Sequence, residues 1–258
     1  MGRGTPKPMI ASASAFSTFS MILEINHLSK SFGSLKVADA IDLQIARGEA
    51  IGIIGPNGAG KSCLFNLIIG TLAADEGEIR LNGVDITRSK PHQRCIAGIG
   101  RSYQIPRPFE SLSVLENLLV GAVYGQQRRE SDVIASCISI LETTNLIRHA
   151  NKLAGSLTLL QRKRLEMARA LATAPQLLLL DEIAGGLSEG ECQELVETIK
   201  NIHADGTTVI WIEHIVHALL AVVDRLIVLN FGRVIAKGDP RSVMASHEVA
   251  EIYMGIGA

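Results

Sequence analysis

The sequence predicts an α/β fold built on a mixed β-sheet core, with an antiparallel β subdomain and an inserted α-helical subdomain. Near the start, ILEINHLSKSF and IDLQI alternate apolar and polar residues, the pattern of antiparallel strands with one solvated face. AIGIIG, LLLLD, TTVIWIE and RLIVLN are instead unbroken apolar runs of buried-strand length. Helical patterns follow several of these runs, in GKSCLFNLIIG, GECQELVETIKNIHADG and EHIVHALLAVVD. Strand followed by helix, repeated, implies a parallel core with right-handed crossovers. The long interval between Lys61 and Asp181 holds two more helical patterns, one from Ser113 and one from about Ser131 to Leu146, and these form the inserted lobe.

A chain of 258 residues, 47% of them hydrophobic, can bury a substantial core and reads as one unit. Residues 1–20 carry no acidic side chain, are rich in Ser, Ala and Gly, and lack the apolar centre of a signal peptide, so a disordered tail is expected there. Met21 opens the first patterned segment and is an alternative start. The expected domain therefore covers 21–258, with a helical subdomain around 105–172 and a C-terminal tail around 238–258. A formal charge of −1 supplies no global attraction for nucleic acid, and none is expected as a partner. Cys63, Cys95, Cys137 and Cys192 form no CxxC pair, which disfavours both a zinc site and a secreted disulfide scaffold. No apolar run approaches the roughly 20 residues that cross a bilayer.

GPNGAGKS, Gly55 to Ser62, fits G-x-x-x-x-G-K-[ST] and stands between a strand and a helix, where that motif cradles phosphate. Glycines let successive backbone N–H groups face inward as an anion nest, and the helix start adds partial positive charge. Lys61 would reach the β- and γ-phosphates and the Ser62 hydroxyl would hold Mg²⁺. A GTPase would also need N-K-x-D, but Asn151-Lys152 continues Leu-Ala. In LLLLDE, Asp181 ends a buried strand where it can join the Mg²⁺ shell, and Glu182 beside it can polarise the attacking water. His214 closes TTVIWIEH at a strand's carboxyl end, which faces the ligand crevice of open α/β sheets.

Taken together, GPNGAGKS, GIGRSYQIPRPF, LTLLQRKRLEMARAL, LLLLDE and IEH resemble, in order and spacing, the ATP-binding subunits of ABC transporters, from Met21 onward. The resemblance implies a P-loop ATPase with ATP and Mg²⁺ as ligands. Phe32 would stack on adenine with Val37 beside it, and Gly55, Pro56, Asn57, Gly58, Ala59, Gly60, Lys61, Ser62 and Cys63 would form the Walker A loop. Glu182 and His214 would be catalytic, together with Gln104 of the Q-loop. The metal would be held by Ser62, Gln104 and Asp181. Leu157, Thr158, Leu159, Leu160 and Gln161 would be the signature that closes over ATP held by a second ATPase subunit, a copy of this chain or a different one.

The match departs from the family at LTLLQ, where LSGGQ or LSLGQ is usual. Leu160 replaces a glycine whose backbone approaches phosphate, so its Cβ is expected to hinder approach. Ile183 stands where proline is usual, and Ser188 where many members have Asp. In the helix after LTLLQ, Leu165, Ala168 and Leu171 would pack inward, leaving Arg162, Lys163 and Arg164 near the surface.

GIGRSYQIPRPFESLSVLENLLVGA, QRKRLEMARALATAP and the C-terminal VLNFGRVIAKGDPRSVMASHEVAEIYMG look like the ATPases of branched-chain amino-acid importers, and lipopolysaccharide-export ATPases share that tail. Either likeness implies integral-membrane permease subunits, docked in a groove around Ile105 to Leu119, and a peripheral position on the cytoplasmic face of the cell membrane. For the importer, the resemblance implies branched-chain or other hydrophobic amino acids, or related amides, as cargo, and a periplasmic solute-binding protein indirectly. A soluble ATPase of the same superfamily, acting on DNA or ribosomes, remains a different reading; it would carry long coiled-coil insertions or two ATPase halves, and this chain has neither.

Overall fold

The computed structural model describes residues 20–254. Residues 1–19 of the expected disordered tail, and the last four residues of the C-terminal tail, lie outside the described residues. Strands β1 (Met21–Phe32), β2 (Leu35–Ala46) and β3 (Ala50–Ile54) precede helix α1 (Lys61–Ile69). Next come β4 (Glu76–Leu81), β5 (Val84–Asp85), α2 (Pro91–Ile96) and β6 (Ile99–Arg101). Helices α3 (Val114–Gln126), α4 (Glu130–Thr143) and α5 (Leu159–Ala172) lead to β7 (Leu177–Asp181), α6 (Glu189–Ala204) and β8 (Thr208–Ile212). The chain continues through α7 (Val216–Leu220), β9 (Arg225–Asn230), β10 (Arg233–Gly238), α8 (Pro240–Met244) and α9 (His247–Met254).

Among the described residues, one sheet has the antiparallel order β2-β1-β4-β5 and the other the mixed order β10-β9-β3-β8-β7-β6, parallel except for the β9–β10 hairpin. The unbroken apolar runs have a simple cause. Leu177 and Leu179 face a core shared with α1 and the antiparallel sheet, while Leu178 and Leu180 face a second core shared with α6. Both faces of the strand are covered, so every position gains by being apolar, by about 1.5–3 kcal/mol for each fully buried side chain.

A third apolar cluster joins α3, α4 and α5 around Leu118, Val133, Leu141 and Leu165. Helix α5 also gives Met167 and Ala170 to the second core, so it is buried on two sides. That corrects the expectation for its basic run. Lys163 is 4% and Arg164 7% exposed, and Arg164 reaches Glu194 of α6 at 2.8 Å. Arg162 is half-buried and donates to the carbonyls of Leu157 and Gly155 at 3.0 and 2.7 Å.

Two helices are shorter than their patterns suggest. EHIVHALLAVVD yields only α7, because Asp224 exchanges hydrogen bonds with Ala50, its carboxylate accepting and its own N–H donating, each at 2.8 Å. This pins the chain to β3 before β9 begins. Helix α4 ends at Thr143, and Asn145 then turns into the left-handed region at φ 55°.

Candidate active site

Strands β3, β8 and β7 are parallel neighbours, so the loops that follow them emerge side by side at one edge of the sheet. The loop after β3 is Gly55 to Gly60. Gly55 has φ 157° and a Cβ there would stand 2.2 Å from the Leu229 carbonyl oxygen. At Gly60, φ is 100° and a Cβ would meet the Val37 carbonyl oxygen at 2.3 Å, so only glycine fits either place. Gly60 begins α1 without a side-chain cap, which leaves the first N–H groups of the helix free for an anion. Asn57 and Gly58 are exposed, Pro56 is half-buried and Ala59 is buried; the Ala59 carbonyl accepts the Gly232 N–H at 3.0 Å, bracing the loop against the β9–β10 turn.

Lys61 is 5% exposed and its Nζ donates to the carbonyls of Gly55 and Pro56 at 2.7 and 3.0 Å. Burial lowers its pKa from the usual 10.5, and attraction to Glu182 and Asp181 opposes that shift. Ser62 is exposed on the first turn, and Cys63 is half-buried with its thiol pKa raised by burial. Val37 lies against the loop through its carbonyl. Phe32, at the tip of the β1–β2 hairpin, is 52% exposed, and the Lys30 ammonium lies 5.6 Å from its ring centroid.

Glu182 gathers the other polar groups. Its Oε2 accepts from Gln104 Nε2 at 2.5 Å, and its Oε1 lies 2.6 Å from His214 Nε2. Its backbone sits in the left-handed region at φ 47°, a conformation costing on the order of 1–3 kcal/mol that clusters at functional sites. The Glu182 N–H, bound to the Ile212 carbonyl at 2.8 Å, holds that conformation against β8. Residues from three separate segments thus meet at one carboxylate.

Asp181 is 5% exposed and pairs with Arg101 at 2.6 Å. The Arg101 guanidinium also donates to Asn66 at 2.7 Å and lies over the rings of Tyr103 and Phe65, 4.8 and 5.6 Å from their centroids. Sequence reasoning missed Arg101, although it stands three residues before Gln104 in the same motif.

Ser62, Gln104 and Asp181 line one cleft of about 500 Å³. Hydroxyl, amide and carboxylate oxygens are the hard donors that Mg²⁺ takes. Because the Gln104 Nε2 is committed to Glu182, its Oε1 is the atom left for a cation, and Asp181 has Oδ1 beyond the oxygen that Arg101 holds. These residues fit the ion.

The segment Leu157–Gln161 opens α5 and makes no hydrogen bond to Gly55–Ser62 among the described residues. Thr158 is the N-cap: its Oγ1 accepts the Gln161 N–H at 3.4 Å, while Gln161 Oε1 accepts the Thr158 N–H at 3.1 Å. Gln161 Nε2 continues to His149 Nε2 at 3.0 Å, a second contact the sequence did not reveal. Leu157 and Leu160 are buried at 5% and 7%, whereas Leu159 is 46% exposed. Leu160 therefore turns inward from a helical backbone, and the side chain presented at the head of α5 is Leu159. Ser188 caps α6 by accepting the Glu191 N–H at 3.4 Å, a role for which Asp is equally suited. Ile183 is 1% exposed and fills the second core.

A model of the family described as ABC transporter matches residues 38–185. The chain is 33% identical over 250 residues to the probable branched-chain amino acid transport ATP-binding protein LivG of Methanocaldococcus jannaschii, covering 91% of this chain and 97% of that protein. It is 32% identical over 249 residues to the high-affinity branched-chain amino acid transport ATP-binding protein BraF of Pseudomonas aeruginosa, covering 91% and 98%. A crystal structure of a nucleotide-free ATP-binding cassette from an ABC transporter shares its fold with a TM-score of 0.83 at 33% identity, over 92% of this chain and 100% of that one. A crystal structure of the ADP conformation of an ATP-binding cassette of an ABC transporter gives a TM-score of 0.83 at 33% identity, over 91% and 99%. With the phosphate loop, the Glu182 cluster and the capped α5 in place, the chain belongs to the ABC transporter family.

Proposed function

We propose that this chain hydrolyses Mg-ATP to drive an importer of branched-chain or related hydrophobic amino acids. The observation that carries the reaction is the Glu182 carboxylate held between Gln104 and His214 beside the phosphate loop. Phosphates enter the nest of Gly55 to Ser62, and Lys61 exchanges the carbonyls of Gly55 and Pro56 for phosphate oxygens. Phe32 stacks on adenine beside Val37. Glu182 accepts a proton from the attacking water, and His214 and Gln104 fix the carboxylate for that task. Ser62, Gln104 and Asp181 are the residues that would hold Mg²⁺, which when bound neutralises charge on the phosphate oxygens.

The head of α5, Leu157 to Gln161, serves the nucleotide of a second cassette, since a helix N-terminus is an anion site and this one makes no hydrogen bond to its own phosphate loop. A membrane partner docks in the neighbouring groove of about 370 Å³ lined by Tyr103, Phe109, Val120, Gly121 and Arg169. Of the stretch Ile105 to Leu119, only Phe109 lines this groove, while Ile105 and Arg107 line the adjoining cleft. Among the described residues no helix is long and apolar enough to cross a membrane, so attachment through permease subunits at the inner face of the membrane is the arrangement we propose. A solute-binding protein would deliver the cargo.

The names of LivG and BraF, which match nearly the full chain, support this cargo class. Uptake of labelled leucine, isoleucine and valine is the test, in cells lacking the chain and complemented with wild type or Glu182→Gln. Restoration by wild type alone is expected. Unchanged uptake of all three in the deletion strain would contradict the cargo.

A further inference from the structure

Glu213 precedes His214 and is 1% exposed, yet its carboxylate meets backbone donors rather than solvent. Its Oε2 accepts the Ala184 N–H at 3.0 Å, and its Oε1 accepts the N–H groups of His214 and Ile215 at 2.9 and 3.4 Å. Ala184 stands two residues past Glu182 on the loop after β7, and His214 follows Glu213 on the loop after β8. One carboxylate therefore spans the two loops whose side chains meet at Glu182 and His214.

A buried charge needs a partner as well as hydrogen bonds. Lys163 on α5 is also buried, at 4% exposed: burial lowers its pKa, and attraction to Glu213, then to Glu182, opposes that. Lys163 lies five residues beyond the Thr158 cap, on the helix whose head serves the second cassette's nucleotide.

We infer that Glu213 is a positioning residue whose carboxylate sets the separation of the Glu182 and His214 loops. The inference rests on the ATPase reading above, in which Glu182 takes the water's proton.

Gln is the informative replacement. Its amide offers one acceptor oxygen where the carboxylate offers two, so one backbone N–H then faces another donor. Losing a hydrogen bond to a charged group corresponds to roughly tenfold to hundredfold in rate. Glu213→Gln should lower kcat by about that factor while KM for ATP stays near wild type, since the phosphate loop is untouched.

The same loss should vanish in a His214→Ala background, because a spacer acts only through the pair it spaces. Glu213→Asp, one methylene shorter, should reproduce the kcat loss. Additive losses in the two backgrounds, kcat and KM worsening together, or failure of both Glu213 variants to fold would assign Glu213 to general stability and overturn the inference. The controls separate it from the ATPase reading: an inactive wild type, or a fully active Glu182→Gln, would sink that reading instead.

Discussion

Gln161 Nε2 and His149 Nε2 stand 3.0 Å apart, and that contact dictates where the imidazole keeps its proton. The Thr158 N–H fixes Gln161 Oε1 as an acceptor, so Nε2 of the amide must donate to His149. His149 Nε2 then accepts and is unprotonated, with the ring proton on Nδ1, a buried atom that finds no hydrogen-bond partner among the described residues. An imidazolium carries protons on both nitrogens and cannot keep the contact. Burial first, then the charges of Lys152 and Arg148, lower the His149 pKa from the usual 6.5, in agreement with a neutral ring.

A pH dependence follows. With the folded pKa depressed, the unfolded chain binds the proton more readily, so this contribution to stability is complete above about pH 6.5 and is lost as the pH falls through the lowered value. Thermal melts of wild type should decline across that window, and His149→Leu should have a lower but flatter profile. Identical pH profiles for the two proteins would refute the assignment.

The pairing of Arg101 with Asp181 makes a stability prediction. Both side chains are under a tenth exposed, and removing one partner of a buried ion pair costs about 3–5 kcal/mol. Arg101→Met should therefore lower Tm by roughly 6–12 °C at the lower end of that range. Mg-ATP should recover part of the loss, because a cation at Asp181 replaces the missing guanidinium charge. Calorimetry with and without Mg-ATP checks both statements.

Gly60→Ala should weaken ATP binding at least about tenfold, because a Cβ 2.3 Å from the Val37 carbonyl forces the loop to move and its N–H groups to turn from phosphate. Fluorescent-nucleotide titration measures this. Gly58→Ala is the contrast: it shares a positive φ, but a Cβ there meets nothing within 4 Å, so the smaller loss belongs to it.

Restoring glycine at position 160 should not improve this cassette. Leu160 is 7% exposed within α5, and its loss removes buried apolar volume, worth about 2–5 kcal/mol, as well as helix propensity, about 1 kcal/mol. Leu160→Gly should melt well below wild type with no gain in ATPase rate.

Much of this was readable from the residues. The phosphate loop was legible because its glycines answer to local backbone geometry, and the strands because apolar runs report coverage on both faces. The burial of Lys163 and Arg164 was not legible: basic residues at helix spacing look solvated until α6 and the helices on either side are packed against them. Arg101, His149 and Glu213 were hidden for the same reason, since each acts through a partner distant in sequence, Asp181, Gln161 and Ala184 respectively. The inward turn of Leu160 depends on where α5 begins, and sequence leaves helix starts uncertain by a residue or two.

The central claim is that LTLLQ is a working signature, so the most direct measurement is the molar mass of Glu182→Gln protein by light scattering, with and without Mg-ATP. Blocking hydrolysis should trap the closed pair, and the account predicts a doubling of mass that depends on ATP and is abolished by Gly60→Ala. A protein that binds ATP yet stays monomeric at every concentration tested would contradict self-closure through Leu157 to Gln161.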